Sequence, residues 1–581
     1  MYLNCHSYYS LRYGTLSPEA LVEAAAAQGI KVLALTDIHR VSGIYDFFQA
    51  CRVANIKPVV GMEFRQVDAC YYICLAKNAA GLAQINAFAS QHLLHSKPWP
   101  VRPPSSPDVW TIFPLARREQ VKSLGPQERW GVRASDRNKL WKEQDWASLV
   151  WCHPFTFLDK KAFSMHRLLR AIDHNVLLSK LPLEAQAQDD ERLYSPAELA
   201  DFCADFPSLL EEAERILESC EFSFEFKVTK NRKLFSASQE DDHALLAKLA
   251  YEGMLYRYPQ RSREAKERIK KELQVIHDLA FESYFLITWD IIRYARSRGY
   301  FHVGRGSGAN SIVAYCLGIT DVDPIELDLY FERFINPQRT SPPDFDIDFS
   351  WDERDEIIDY IFKRYGAQYV CLLATYVTFR DRSIYRELAK VFGLPKAEID
   401  AWIAPTAELR QSNSQIHQWI IKYGNLLIDF PNYLSIHAGG ILISDRPLSE
   451  YTALEPMPKG FPICQFDMYV AEEIGFAKFD ILSQRGLGHI KEAVEIIRQN
   501  RGVDIDIHRV ADFKRDERIK IQLESHETMG CFYVESPAMR QLIWKLQCDN
   551  YLTLVAASSI IRPGVSSSGM MSEYIKRHHN P

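Results

Sequence analysis

A chain of 581 residues exceeds what one hydrophobic core usually supports, so its length alone implies about three or four domains. With 47% hydrophobic and 25% charged residues and no low-complexity bias, the composition excludes a disordered or fibrous chain. A net charge of -6 excludes a simple polycationic nucleic-acid binder, although a groove can differ locally from the average.

The 12 cysteines are scattered and form no C-x-x-C pair, which excludes a zinc ribbon or a disulfide framework and predicts reduced thiols. No apolar run reaches the ~18 residues that span a bilayer. The start, Met1-Tyr2-Leu3-Asn4-Cys5-His6, lacks the features of a signal peptide. A cytoplasmic protein without membrane partners is expected.

In chain order, the pattern predicts an alanine-rich helix over 18–28, a buried strand over 32–35, a helix over 43–55 and a strand over 57–64. This βα rhythm places Asp37, His39 and Glu63 at strand ends, where sites form. Prolines crowd 98–107, predicting an extended surface segment, and a polar stretch over 186–190 marks a boundary near residue 190. The charged helix predicted over 261–277 reads as a solvated face laced with ion pairs in preference to a DNA-contacting surface. No internal repeat is found.

The densest chemical signal is Pro343-Asp344-Phe345-Asp346-Ile347-Asp348-Phe349, in which acidic and apolar residues alternate as in a strand. All three carboxylates then share one face. Positions i and i+2 lie about 7 Å apart, close enough to bridge a pair of divalent ions. A half-exposed edge strand with its acids toward water gives the same pattern.

Upstream, Gly304-Arg305-Gly306-Ser307-Gly308-Ala309-Asn310-Ser311 follows a strand-like stretch at 300–303 and precedes a helical 312–315. Backbone N–H groups at a helix N-terminus make a phosphate cradle, and Arg305 adds a fork of donors. The loop is neither a Walker A sequence nor G-x-G-x-x-G. Loop and carboxylates together are what nucleotidyl transfer needs.

These runs, with Gly318-Ile319-Thr320-Asp321-Val322-Asp323-Pro324 and Phe331-Glu332-Arg333-Phe334-Ile335-Asn336-Pro337 between them, resemble the palm of bacterial family C DNA polymerases in order and spacing. Ile436-His437-Ala438-Gly439-Gly440, Lys478-Phe479-Asp480-Ile481-Leu482 and Ile561-Arg562-Pro563-Gly564 resemble later signatures of that family. The resemblance implies that Asp346 and Asp348 are paired catalytic metal ligands, Asp480 the third catalytic aspartate and Asp344 a supporting one. It also implies that Arg305, Gly306 and Ser307 contact the incoming triphosphate, that Lys478 faces phosphate, and that two Mg²⁺ ions serve the palm. Without the resemblance, Asp480 reads as a surface aspartate ending a strand. His437 is expected to be a satisfied core histidine. Arg382 and Arg386, at i and i+4 of a predicted helix, read equally as phosphate contacts or as an exposed charged face.

The opening region resembles the PHP domain, the polymerase and histidinol phosphatase module. The H-x-H of that family reads Asn4-Cys5-His6 here, its Thr-Asp-His reads Thr36-Asp37-Ile38, and its late D-x-H is missing near 170–190. His6, Asp37, Glu63 and His153 remain. Loss of several imidazoles from a multinuclear site removes most of its affinity, so PHP metals are expected to be absent and the role structural, buttressing the palm.

The expected fold class is α/β multidomain: a PHP-type (βα) barrel-like domain, then a polymerase beta-like nucleotidyltransferase palm with a mostly helical thumb insertion. The expected boundaries are 1–190 for the PHP domain, 191–245 for a connecting region, 246–377 and 436–500 for the palm, 378–435 for the thumb and 501–581 for the start of the fingers. The resemblance implies a DNA-directed DNA polymerase of the DNA polymerase III alpha type, acting in replication or error-prone damage tolerance. Its partners would be primer-template DNA, dNTPs, and a sliding clamp and other subunits bound through regions beyond residue 581, without which the chain alone is expected to be inactive. A PHP-type phosphoesterase and a non-catalytic replication scaffold are the rival readings.

Overall fold

The computed structural model describes residues 2–141, 145–260, 262–336, 344–404 and 414–580. Pro337, Pro343 and Arg261, which belong to the motifs and helix read above, lie outside the described residues, as do Met1 and Pro581. Two compact units divide the chain, one of residues 1–231 with 367–476 and one of 232–366 with 477–581. Among the described residues no helix is long and apolar enough to cross a membrane. All 12 cysteines are unpaired thiols, as expected.

The strands are β1 (Val32–Leu35), β2 (Lys57–Gln66), β3 (Ala69–Ala76), β4 (Val109–Pro114), β5 (Glu128–Val132), β6 (Leu149–Trp151), β7 (His302–Arg305), β8 (Asp346–Ser350), β9 (Val370–Thr378), β10 (Pro431–Ile443) and β11 (Phe479–Gln484).

In the first unit β1 to β6 form one sheet in sequence order. The pairs β1–β2, β4–β5 and β5–β6 are parallel, and the βα rhythm holds for β1–β2, joined through helix Ile44–Ala54, whereas β4 and β5 are joined through a 3-10 turn with no α-helix. An antiparallel run, β2–β3–β4, interrupts the rhythm. Ser17 explains why the first helix starts where it does: its hydroxyl accepts from Ala20 N at 3.2 Å, and Pro18 takes the first helical position of Pro18–Ala27. Residues 2–6 pair with both sides of the sheet, Tyr2 bridging to Leu33 in β1 and Cys5 to Phe155 just after β6. Asn4, His6 and Asp37 are thereby drawn into one interior. Glu63 joins them from within β2, which runs on to Gln66, so it does not sit at a strand end as the shorter expected strand implied.

The same unit includes the antiparallel pair β9–β10 and the helices Asp381–Val391, Lys396–Trp402 and Gln415–Leu427. Ile384, Leu388, Ile420 and Leu427 from these helices share one core with Leu168, Leu169 and Ile172 of helix Lys160–His174. Gln465 is fully buried. Its Oε1 accepts from Val41 N at 2.9 Å and its Nε2 donates to His39 O at 3.0 Å.

In the second unit β7 pairs antiparallel and β11 parallel with β8. The apolar positions of the alternating run face the core, where Phe345 stacks on Tyr284 at 5.4 Å and meets Phe285 at 5.2 Å and Phe334 at 5.0 Å. Helix Arg263–Asp278 is not the wholly solvated element expected from its charges. Arg263 and Glu267 pair in solvent, but Glu272 is fully buried. Its carboxylate accepts from Ser311 Oγ at 2.8 Å, Ile312 N at 3.1 Å and Val313 N at 3.2 Å, capping the helix Ile312–Cys316.

Glu272→Ala leaves those donors without their acceptor, at a cost of about 1–3 kcal/mol for each buried group. Hydrogen–deuterium exchange of a peptide covering Ile312 and Val313 should quicken at least ~10-fold, since each 1.4 kcal/mol is a factor of ten. Unchanged protection there would show that the cap carries no stability.

Candidate active site

Strand register builds the candidate site in the second unit. Arg305 in β7 lies opposite Asp346 in β8, and Asp346 lies opposite Asp480 in β11. Paired strands run about 4.8 Å apart, so these three side chains form a row on one face, with Asp348 two positions along β8. Asp348 is 3% exposed and Asp480 6%, so Asp480 is not the surface aspartate of the bland reading.

Two cations answer this charge. Arg305 donates through Nε to Asp348 Oδ2 at 2.8 Å and through Nη1 to Asp346 Oδ2 at 3.1 Å. Lys478 Nζ pairs with Asp480 Oδ2 and lies 3.4 Å from Asp344 Oδ2. Arg305 and Lys478, expected to face phosphate, thus face the carboxylates. Burial pushes the Asp346 carboxyl above its ordinary value and Asp480 adds to this, against the opposing pull of Arg305. Lys478 is held above its ordinary value: burial pulls it down, but Asp480 and Asp344 outweigh that.

The donor set fits a hard divalent cation. All the candidate ligands are carboxylate oxygens, the type suited to Mg²⁺ or Mn²⁺. Asp480 Oδ1 is buried and has no hydrogen-bond partner among the described residues. Held by Arg305 and Lys478, the three aspartates do not bring their oxygens all within 4.8 Å of one another.

Gly306, at φ +77°, borders this space, and a Cβ there would lie 2.9 Å from Asp346 Oδ2. Ser307 follows in the 3-10 turn Gly306–Asn310, its carbonyl accepting from Asn310 Nδ2 at 2.8 Å. The helix beyond does not supply the expected cradle, because Glu272 occupies the N–H groups of Ile312 and Val313. The motif reading also missed Tyr284, whose hydroxyl accepts from Phe345 N at 3.1 Å and donates to Lys478 O at 3.2 Å.

His437 is satisfied, Nδ1 accepting from Gly440 N at 2.9 Å, but it is half-buried and not in the core. Arg386 pairs with Asp400 at 2.7 Å, which takes up its charge, while Arg382 is exposed.

A second carboxylate cluster lies in the first unit. Glu63 Oε2 accepts from Asn4 Nδ2 at 2.7 Å and lies 3.0 Å from His6 Nε2, while Oε1 is ion-paired with Arg65. Thr156 Oγ1 lies 2.9 Å from His6 Nδ1 and donates to Glu191 Oε2 at 2.9 Å, and Arg133 lies 3.6 Å from Glu191 Oε1. Asp37 accepts from Ser7 N at 2.7 Å and from the hydroxyls of Ser7 and Ser10, both at 2.6 Å. Although burial pushes Glu63 up, Arg65 and His6 hold it well below the usual carboxylate range. His153 has hydrogen bonds of its own, its Nδ1 accepting from Ala134 N at 3.2 Å and its Nε2 lying 2.9 Å from Asp190 O. The sequence reading found His6, Asp37 and Glu63 but missed Arg65, Arg133, Thr156 and Glu191.

Residues 244–483 match the family model described as the bacterial DNA polymerase III alpha NTPase domain, and residues 486–581 that of the bacterial DNA polymerase III alpha subunit finger domain. Residues 3–110 match the PHP domain. The chain belongs to the bacterial DNA polymerase III alpha family. It is 30% identical to an error-prone DNA polymerase of Symbiobacterium thermophilum over 100% of this chain and 59% of the relative. It is 31% identical to an error-prone DNA polymerase of Methylococcus capsulatus over 99% of this chain and 58% of the relative. It is 28% identical to the DNA polymerase III subunit alpha of Bacillus subtilis over 97% of this chain and 55% of the relative. The chain thus spans less than two thirds of these family members. The expected mixed α/β order, a PHP domain and then a polymerase domain, is the order of the matches.

Near the first cluster, His166 is fully buried between Tyr13 O, 2.7 Å from Nδ1, and Ala187 N, which donates to Nε2 at 2.8 Å. Burial pulls it down to about 3. Both His166 and Glu63 therefore have depressed folded-state values, so their stability is present above the ordinary values and is lost as pH falls, first below about 6.5 for His166. Denaturation midpoints should drop from about pH 6.5 to about pH 4, with His166 contributing about 1.4 kcal/mol per pH unit. His166→Gln should flatten that slope, and an unchanged slope would remove the histidine from the account.

Proposed function

We propose that this chain carries the catalytic centre of a DNA-directed DNA polymerase, transferring a nucleotide from a dNTP to a primer 3′-hydroxyl on template DNA. The single observation that carries the reading is the row of Arg305, Asp346 and Asp480 across β7, β8 and β11, with Asp348 on the same face. Asp346, Asp348 and Asp480 would hold two Mg²⁺ ions, which when bound activate the attacking hydroxyl and stabilise the departing pyrophosphate. Arg305 and Lys478, the cations beside these carboxylates, would contact the triphosphate. Gly306 and Ser307 let it approach the backbone closely. The palm reading assigns residues 246–377 and 436–500 to this domain, 378–435 to the thumb, 501–581 to the fingers, 1–190 to the PHP domain and 191–245 to the connection.

The PHP cluster is structural in this reading. Arg65 and Arg133 supply the countercharge that metals supply elsewhere in such modules, and hydrolysis is not retained. Replication or error-prone damage tolerance is the setting in this reading, alongside relatives named DNA polymerase III subunit alpha and error-prone DNA polymerase, and other polymerase III subunits are the class of protein partner. The cytoplasm is the proposed location.

Primer extension with Mg²⁺, using the protein as its gene encodes it, tests this. Asp346→Asn or Asp348→Asn should lower extension at least ~10³-fold while primer-template binding persists, because a residue that would hold the metal ions is lost. Near-wild-type extension by either variant overturns the assignment. A Mn²⁺-dependent phosphoesterase activity that vanishes with Glu63→Ala would overturn the structural role of the first cluster.

A further inference from the structure

Three helix ends converge in the second unit on a group of side chains outside the aspartate centre. His243 lies near the start of helix Gln239–Arg257, His277 in the last turn of helix Arg263–Asp278, and Glu282 opens helix Glu282–Ser297. Ala280, at φ +54°, turns the chain back between the last two so that His277 and Glu282 meet. Gln239 Nε2 donates to His277 O at 3.1 Å and ties the first helix to the second.

His277 Nδ1 lies 2.7 Å from Glu282 Oε1, His243 Nδ1 lies 3.6 Å from the same oxygen, and the two rings are 4.5 Å apart. One ligand atom from each residue falls within 4.8 Å of the others, the one such group of histidine, cysteine or acidic residues among the described residues. Two features are unexplained by packing alone. Glu282 has a side chain only 2% exposed, and its ion-pair partners are these two imidazoles. His243 Nδ1 is buried and has no hydrogen-bond partner among the described residues. A buried ring nitrogen without a hydrogen-bond partner, beside a buried carboxylate, is a polar cost that a shared cation removes.

We infer that His243, His277 and Glu282 form a binding site for a divalent transition-metal ion of the zinc class. Two imidazole nitrogens and one carboxylate oxygen suit Zn²⁺ and its first-row neighbours, whereas Mg²⁺ prefers oxygen throughout. The imidazole side chains are 35% and 37% exposed, which leaves a path for the ion and room for a water as fourth ligand. The ion ties together the ends of three helices. It also fixes the start of the helix that carries Tyr284, two residues beyond Glu282, whose hydroxyl holds Phe345 N and Lys478 O beside the aspartates. The site is thus a structural clip distinct in chemistry from the Mg²⁺ centre.

The test uses the 581-residue chain, stripped with a chelator and titrated with Co²⁺ alone and then Zn²⁺. One equivalent of Co²⁺ should give the visible absorption of a four-coordinate site, and Zn²⁺ should abolish it. His243→Asn and His277→Asn should each weaken Zn²⁺ binding at least ~10-fold. Asp346→Asn should leave the band unchanged, which separates this site from the aspartate centre. Circular dichroism of the histidine variants checks that the fold persists, and Glu282→Gln provides a third, nearly isosteric variant should either fail to fold. Absence of a Co²⁺ band in the parent chain, or a band that survives in the histidine variants, overturns the proposal.

Discussion

Asp346 and Asp480 stand side by side on paired strands, and carboxylates so placed in a half-buried site repel one another unless a cation answers them. Much of the second unit follows from that constraint. Arg305 reaches from β7 to Asp346 and Asp348 on β8, and Lys478 sits between Asp344 and Asp480. Gly306 keeps the space over Asp346 clear of side chain. The opposite face of β8 answers a different demand, burying Phe345, Ile347 and Phe349 in an aromatic and aliphatic core.

The first unit meets a similar demand in another way. Glu63 and Glu191 are buried more deeply than Asp346, and their countercharges are Arg65 and Arg133. What differs is whether the cation can leave. The Arg65 side chain is only 9% exposed and is further held by a hydrogen bond to Tyr13 Oη at 3.0 Å, so displacing it would strand a charge in the interior. The Arg305 side chain is 49% exposed and can swing into solvent at little cost. The two clusters thus differ in how tightly their guanidinium is held, Arg65 by burial and Tyr13 and Arg305 at the solvent edge.

How much of this is legible in the sequence depends on the range of the interaction. The alternation over 344–349 is local, so its two faces and the common side of Asp346 and Asp348 follow directly from a period of two. Asp480 lies far along the chain, and only the family resemblance linked it to them. Arg65 lies two residues from Glu63 on β2, so a period of two already puts the pair within reach, whereas Arg133 and Glu191 carry no local signature, since each is an ordinary charged residue until the fold brings Glu191 beside Thr156 and Arg133 beside Glu191. The glycine loop was read from its own residues, but Glu272, which takes the helix N–H groups, comes from a helix whose composition resembles a solvated surface. The interruption of the βα rhythm by β2–β3–β4 escaped for a related reason: a buried antiparallel strand and a buried parallel one have the same apolar composition.

The site's geometry is therefore a consequence of the core's. A slip of one residue in the pairing of β8 would put Phe345 and Ile347 on the charged face and the aspartates among Tyr284, Phe285 and Phe334. Burial of those rings opposes the slip strongly, since each large side chain contributes on the order of 2 kcal/mol. Tyr284 adds a polar lock to the same register, because its hydroxyl binds the backbone just before β8 and the backbone just before β11 together. The two aspartates can face each other across the strands because the apolar side of the sheet allows no other alignment.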